Sequence, residues 1–139
     1  MIFVDTWAWL ALAYKKDPYH AVAVRQHRAL QQQKHSYVST DYVLSEFMTA
    51  LFRAVSFSKA EQFVDRLFQL VNSGQYQLVF VSPGQFERAW QMRQRYRDKP
   101  DISFVDFTSM VVMQDLRIKE VFTGDTHFQQ VGLGFCLVP

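Results

Sequence analysis

Short apolar segments alternate with longer stretches of helical periodicity along the whole chain, and this alternation constrains the fold more than any other feature. Strand-like segments are predicted at residues 2–5, 37–39, 78–81, 120–123 and 135–138. The intervals between them are long enough to carry the helical crossovers that parallel strands require. The pattern therefore predicts an α/β fold, a three-layer sandwich with a small, mainly parallel sheet between helices. Ligands of such sheets bind at the carboxyl ends of the strands, near the switch in strand order.

Polar and helix-breaking residues predict where several helices begin. Asp17 and Pro18 have the types that favour an N-cap and a first helical position. The segment 58–61, Ser-Lys-Ala-Glu, has the spacing of a capping box, and the segment 82–84, Ser-Pro-Gly, predicts a turn.

Length and composition limit the class of protein. At 139 residues the chain predicts a single domain over 1–139, and 49% apolar content excludes a disordered tail. No apolar run is long enough for a membrane span, and the N-terminus lacks the basic region of a signal peptide. The single cysteine, Cys136, excludes an internal disulfide and a cysteine-based zinc site, and is expected to be a small buried hydrophobe. We therefore expect a cytoplasmic protein without membrane contact.

Four acidic residues lie at positions where catalytic residues often occur in such folds, and each also has a structural explanation. Asp5 ends the first strand or caps the next helix, and Glu46 lies beside an apolar helical stripe or on its solvated shoulder. Asp106 follows Ser103 with capping-box spacing, and the first helical turn would also project it over the sheet edge. Asp125 follows the strand at 120–123, where a turn also favours aspartate.

Considered together, these positions bring carboxylates from two strand ends and two helices to one edge of the sheet. Like charges in one place require a cation, and Mg²⁺ or Mn²⁺ prefers oxygen ligands. Such a site activates water and stabilises an in-line phosphoryl displacement. The predicted chemistry is hydrolysis of a phosphodiester.

The order and spacing of four segments carry a resemblance to a known family. They are Phe3-Val4-Asp5-Thr6, Leu44-Ser45-Glu46, Ile102-Ser103-Phe104-Val105-Asp106 and Phe122-Thr123-Gly124-Asp125-Thr126-His127-Phe128. Over essentially its whole length the chain resembles PIN-domain ribonucleases, and more closely the VapC toxins of bacterial toxin–antitoxin modules.

The resemblance implies a metal-dependent endoribonuclease that uses Mg²⁺ or Mn²⁺. Carried over by position, the catalytic and metal-binding acids are Asp5, Glu46, Asp106 and Asp125. Thr6 and Thr123 match supporting hydroxyl positions, whereas Asp101 falls outside the match. His127 is not required by the resemblance, and it is interpreted as a surface residue.

Partners follow from the resemblance and from the charge distribution. The resemblance implies an RNA substrate and a cognate antitoxin, and we also expect a homodimer. The densest basic stretch contains Arg93, Arg95 and Arg97, which are predicted to contact RNA phosphates, although a solvated helical face explains them as well. Candidates for base stacking are Trp7, Trp9, Trp90 and Tyr96. Candidates for an apolar partner surface are Phe47, Leu51, Phe52, Phe57 and Phe63.

Two other functions compete with the nuclease. The first is a catalytically inactive PIN-like module that binds RNA or protein, and the presence of all four acids argues against it. The second is a haloacid-dehalogenase-like phosphatase with Asp5 as the nucleophile. That chemistry requires a second aspartate two residues later, where this chain has Trp7.

Overall fold

Five short strands form one sheet in the computed structural model, which describes residues 1–138. The strands are β1 (Ile2–Val4), β2 (Tyr37–Thr40), β3 (Tyr76–Val79), β4 (Glu120–Phe122) and β5 (Cys136–Val138). Their order is β3-β2-β1-β4-β5, and every neighbouring pair is parallel. The chain moves outward from β1 to β3 and then returns to the other side of β1. The switch point therefore lies between β1 and β4, where a ligand site is expected.

Helices cover the sheet and complete the predicted three-layer sandwich. They are α1 (Thr6–Ala13), α2 (His20–Gln32), α3 (Asp41–Ala54), α4 (Phe57–Asn72), α5 (Pro83–Arg95), α6 (Phe104–Asp115) and α7 (His127–Gln130). The first six occupy the predicted helical intervals, whereas α7 was not predicted, because four residues are too few to show helical periodicity. None of the helices within residues 1–138 is both long and apolar enough to cross a membrane.

The core is rich in aromatic side chains that pack around the first strands. Trp9 is 3% exposed and lies against Tyr37, Phe47 and Tyr76, with ring centroids 6.3, 6.3 and 5.9 Å away. Its indole N–H also donates to the Ser39 hydroxyl at 3.2 Å. Trp9 is thus a core residue, and its predicted role in base stacking is wrong.

Two predicted helix starts are wrong, because α2 begins later without a side-chain cap and α4 is capped by an earlier serine. Asp17 accepts the backbone N–H of Tyr19 at 2.8 Å, which closes a turn, and α2 begins only at His20. Helix α4 is capped by Ser56, whose hydroxyl accepts the N–H of Lys59 at 3.4 Å. An N-cap requires a side-chain oxygen close to the N–H of N2 or N3, and Ser56, ahead of the first helical residue, meets that condition.

The segment between β3 and α5 also differs from its prediction. β3 begins at Tyr76, which pairs with Tyr37, two residues before the predicted strand. Val81 donates its N–H to Oδ1 of Asp41 at 2.9 Å, so it is held by a side chain instead of a neighbouring strand. The predicted turn that follows is the start of α5, where Ser82 and Gln85 form a reciprocal capping box.

The predicted apolar partner surface divides into core and surface residues. Phe47 and Leu51 are at most 1% exposed, so their predicted contact with a partner is wrong. Phe63 is half-buried, with its ring centroid 5.7 Å from that of Phe47. Phe52 and Phe57 are exposed, and their ring centroids lie 5.1 Å apart. The five residues lie on two helices, α3 and α4, and the packing of α3 against α1 and α4 buries only part of the set.

Cys136 also departs from its predicted environment. It lies in β5 at an edge of the sheet and is exposed. An edge strand has no neighbour on one side, which explains why its apolar pattern does not ensure burial.

Candidate active site

Asp5 lies directly after the central strand, at the switch point of the sheet. It occupies the N-cap position of α1, but its carboxylate makes no capping hydrogen bond. Instead Oδ2 of Asp5 accepts the hydroxyl hydrogen of Thr123 at 3.0 Å, which joins the ends of β1 and β4. With 4% of its surface exposed, Asp5 is a nearly buried acid that faces the neighbouring strand end.

Asp106 enters the same edge from the first turn of α6. The Ser103 hydroxyl accepts the backbone N–H of Asp106 at 3.1 Å, so the predicted cap is present. The side chain of Asp106 is 7% exposed and remains free of that cap. The Ser103 cap therefore leaves the Asp106 carboxylate available for the predicted functional role.

Asp125 is positioned by the turn that follows β4. Its backbone N–H donates to the Thr123 hydroxyl at 3.0 Å, and its Oδ1 accepts the N–H of His127 at 2.9 Å. Thr123 therefore donates to Asp5 and accepts from Asp125, so one buried hydroxyl links two acids. Thr123, which was predicted to be a supporting hydroxyl, thus lies between Asp5 and Asp125.

His127 is the site residue that the sequence analysis missed. Its Nδ1 lies 3.0 Å from Oδ2 of Asp106 and 3.1 Å from Oδ2 of Asp125. Ligand atoms of these three residues lie within 4.8 Å of one another, a spacing that a metal ion can bridge. The signal was its position two residues after Asp125, where the short helix α7 begins and turns the imidazole back toward the acids.

Glu46 and Thr6 lie at the margin of this cluster. Glu46 is exposed on α3 and does not belong to the group within 4.8 Å, although the charge of Asp106 contributes to raising its pKa. Partial desolvation of the carboxylate is the larger cause of that raised pKa, although the residue as a whole is exposed, and the nearby Thr6 side chain opposes it. Within the described chain, the Thr6 hydroxyl is buried without a hydrogen-bond partner. Thr6 therefore offers an unused polar atom between Asp5 and Glu46.

Burial and mutual repulsion disfavour the ionised form of Asp5 and Asp106 in the absence of a cation. Burial, together with the charge of Asp106, raises the pKa of Asp5 to about 7, and hydrogen bonds from the Thr6 backbone N–H and the Thr123 hydroxyl oppose this rise. Burial also raises the pKa of Asp106, and its contact with His127 opposes that rise. A divalent cation would favour the charged form of each acid. An oxygen-rich donor set with an orphaned hydroxyl fits such an ion.

Other predicted residues lie away from the cluster or have other partners. Asp101 is exposed and does not join the acids. Arg93 donates to the carbonyls of Ile102, Tyr96 and Lys99 at 2.6, 2.6 and 2.7 Å, and its guanidinium lies over the ring of Phe107. It holds the loop that leads into α6.

The remaining basic and aromatic candidates differ in accessibility. Arg95 and Arg97 are exposed, and so is Trp90, whereas Trp7 is half-buried and packs against Gly124. The ring of Tyr96 stacks on that of Phe107, and its hydroxyl donates to the carbonyl of Val131 at 3.0 Å. Tyr96 therefore belongs to the packing of this region, and its face is already covered.

The chain is similar to known proteins in both sequence and fold. The PIN domain family matches residues 2–133. The chain is 34% identical over 134 residues to the 23S rRNA-specific endonuclease VapC20 of Mycobacterium tuberculosis, from strains CDC 1551 and H37Rv, with 95% of each chain covered. A crystal structure of VapC20 of Mycobacterium tuberculosis, described as a sarcin–ricin loop cleaving toxin, superposes with a TM-score of 0.80. That structure shares 29% sequence identity and covers 95% of each chain.

The parallel sheet with acids at its switch point and these similarities define the class. The chain belongs to the PIN-domain family. Within that family it is of the VapC type, the toxin class of ribonucleases. The resemblance stated from the four sequence segments is therefore confirmed, as are the fold class and the assignment to VapC-type endoribonucleases.

Proposed function

We propose that this chain hydrolyses RNA phosphodiester bonds with Mg²⁺ or Mn²⁺ at Asp5, Glu46, Asp106 and Asp125. The observation that supports this most is the buried link from Asp5 through Thr123 to Asp125, with Asp106 close enough to raise the pKa of Asp5. A fold without catalysis has no need of mutually repelling acids in a buried place, since each of them costs stability.

The acids differ in the part they take in holding the cation. Asp106 and Asp125 supply the ligand atoms that lie close together, and Asp5 adds a buried carboxylate beside them. Glu46 completes the set from α3, at the open side of the site. A bound divalent cation supplies an activated water and stabilises charge on the phosphate.

The surrounding residues fix the orientation of the acids. Thr123 holds Oδ2 of Asp5 by donation, and Ser103 fixes the first turn of α6, from which Asp106 projects. His127, with its hydrogen on Nδ1, donates between Asp106 and Asp125 and keeps the two carboxylates together. Because a carboxylate oxygen accepts more than one contact, these hydrogen bonds still leave lone pairs on the acids for a cation.

RNA contacts are proposed for Arg95 and Arg97, which project from the end of α5 and from the loop after it. Arg93 is not included, because three backbone carbonyls already occupy its guanidinium. The relatives named above are specific for 23S rRNA, so a ribosomal RNA hairpin loop is the first substrate to test.

A cognate antitoxin is the proposed protein partner, as the VapC relationship implies. We also propose a homodimer, with the exposed rings of Phe52 and Phe57 as one apolar surface available for protein contacts. Purification of the chain alone and after co-expression with a candidate antitoxin, followed by measurement of the mass in solution, tests both assignments.

The test of the activity is cleavage of a labelled ribosomal RNA fragment with Mg²⁺, with Mn²⁺ and with EDTA. We expect cleavage with either metal and none with the chelator. Cleavage that EDTA leaves unchanged contradicts the metal-dependent mechanism, and RNA binding without cleavage under all conditions supports the inactive-module alternative. The phosphatase alternative predicts a covalent aspartyl-phosphate at Asp5, which mass spectrometry would detect.

A further inference from the structure

A groove of about 750 Å³ lies along the exposed face of α3, and Glu46 is part of its lining. Tyr42 and Arg53 also line it, with Val105, the neighbour of Asp106, on the opposite side. Since a helix rises about 1.5 Å per residue, Tyr42 lies one turn from Glu46 and Arg53 about 10 Å from it. The groove therefore extends along α3 on both sides of Glu46, with Tyr42 toward one end and Arg53 toward the other.

Arg53 gives the groove a positive charge that is not paired with any described residue. Its side chain is exposed and forms no ion pair or hydrogen bond with any described residue. By contrast, Arg88 pairs with Asp115 at 2.7 Å and Arg93 is bound to three carbonyls. An arginine in a groove next to an acidic centre is suited to a phosphate oxygen, which its fork of N–H donors binds in two places.

Tyr42 supplies an aromatic surface in the same groove. Its ring is half-buried and is supported from the side by Phe86, with centroids 6.3 Å apart at 71°. Phe86 is in turn supported by Phe104, with centroids 5.0 Å apart. A ring fixed by its neighbours can stack on a base without a large loss of side-chain freedom.

We infer that this groove binds a single-stranded RNA segment beside the scissile phosphate, with Arg53 on a backbone phosphate and Tyr42 stacked on a base. The inference rests on the proposed RNA hydrolysis, and it identifies where the substrate lies on α3. RNA is the occupant favoured by the continuity of the groove with the acids and by the combination of one cation with one aromatic ring. Neither residue belongs to the basic stretch at 93–97.

The experiment measures binding of a fluorescent single-stranded RNA at several salt concentrations, in an Asp106→Asn background that keeps the RNA intact. We expect Arg53→Gln to weaken binding and to lower the slope of log affinity against log salt by about 0.7, the value for one phosphate on a single strand. Tyr42→Ala should weaken binding about fivefold to 100-fold without changing that slope. Arg28→Gln is the matched control, because it removes one exposed arginine from α2, outside the groove.

Equal affinities and slopes for Arg53→Gln and Arg28→Gln overturn the inference. A shift from dimer to monomer on Arg53→Gln or Tyr42→Ala, with RNA binding unchanged, overturns it too, and assigns the groove to a second copy of the chain. Wild-type cleavage of the same RNA, measured in parallel, separates this result from a failure of the proposed function. Wild-type protein that neither cleaves nor binds RNA contradicts both.

Discussion

Arg93 donates from Nη1 to the carbonyl of Ile102 at 2.6 Å, one residue before the Ser103 cap of α6. The same guanidinium binds the carbonyls of Tyr96 and Lys99, so it fills the centre of the loop between α5 and α6. The loop in turn determines where α6 begins, and α6 carries Asp106. A basic residue that sequence reasoning assigned to RNA thus supports the acidic site from within the protein.

Arg93→Ala is expected to lower the free energy of unfolding by about 2–4 kcal/mol, because three part-buried carbonyls lose a charged donor. Its salt dependence of RNA binding should stay that of the wild type. Arg95→Ala is the control, with little change in stability and a smaller salt slope. Urea unfolding and binding titrations measure both quantities. If Arg93→Ala lowered the slope of log affinity against log salt and left stability unchanged, Arg93 would be an RNA-binding residue after all.

Asp106→Asn should reduce the rate of RNA cleavage by about 10²–10⁴, which corresponds to several kcal/mol of transition-state stabilisation. The amide keeps the shape of the side chain but loses the charge that holds a cation. Asp101→Asn is the matched control, since Asp101 is exposed and lies outside the cluster. Initial rates of RNA cleavage in Mg²⁺ compare the two variants with the wild type. Equal losses in both variants would mean that the assignment of Asp106 is wrong.

Asp5→Asn should stabilise the metal-free protein at neutral pH, and the gain should depend on pH. The pKa of Asp5 is about 7 in the folded protein and near 3.8 when exposed, so the folded state holds a proton that the unfolded state has lost between these values. The stability of the wild type relative to Asp5→Asn therefore falls as the pH rises from about 4 to 7. The difference vanishes below pH 4 and reaches the order of 4 kcal/mol above pH 7.

Unfolding curves in EDTA at pH 4, 5.5 and 7.5 measure this difference. The exposed Asp65 provides the control, because Asp65→Asn removes the same charge without burial and should change stability by less than about 0.5 kcal/mol. A constant difference between wild type and Asp5→Asn across this range would exclude Asp5 as the buried, repelled acid.

Gly124→Ala should disturb the turn that carries Asp125, because a Cβ atom at Gly124 would collide with the indole ring of Trp7. We expect a loss of about 1–3 kcal/mol in stability and a lower cleavage rate, since either the indole or the turn must move. Gly84→Ala serves as the control, because its Cβ would meet no atom closer than 4.0 Å and it lies in α5, where alanine is favoured. If Gly124→Ala had the same melting temperature and cleavage rate as the wild type, the close contact between Gly124 and Trp7 would be dispensable.

The sheet and most helices were predictable because their signals are local. Apolar strands ending in polar residues, as at Asp5 and Thr123, and a periodic stripe such as that of α3 depend only on the spacing of residue types. The boundaries were less certain, since Ser56 and Ser58 are equally good capping residues as types. Only the conformation of the chain around them decided that Ser56 caps α4.

The sequence by itself indicated the parallel α/β architecture, the four candidate acids at two strand ends and on two helices, and the family. Tertiary structure alone decided which side chains meet: Thr123 with Asp5, His127 with two acids, and Arg93 with three carbonyls. The first set depends on periodicity and local backbone preference, which neighbouring residues encode. The second depends on contacts between residues as far apart as Asp5 and Thr123, and these distances exist only once the strands are ordered around the switch point of the sheet.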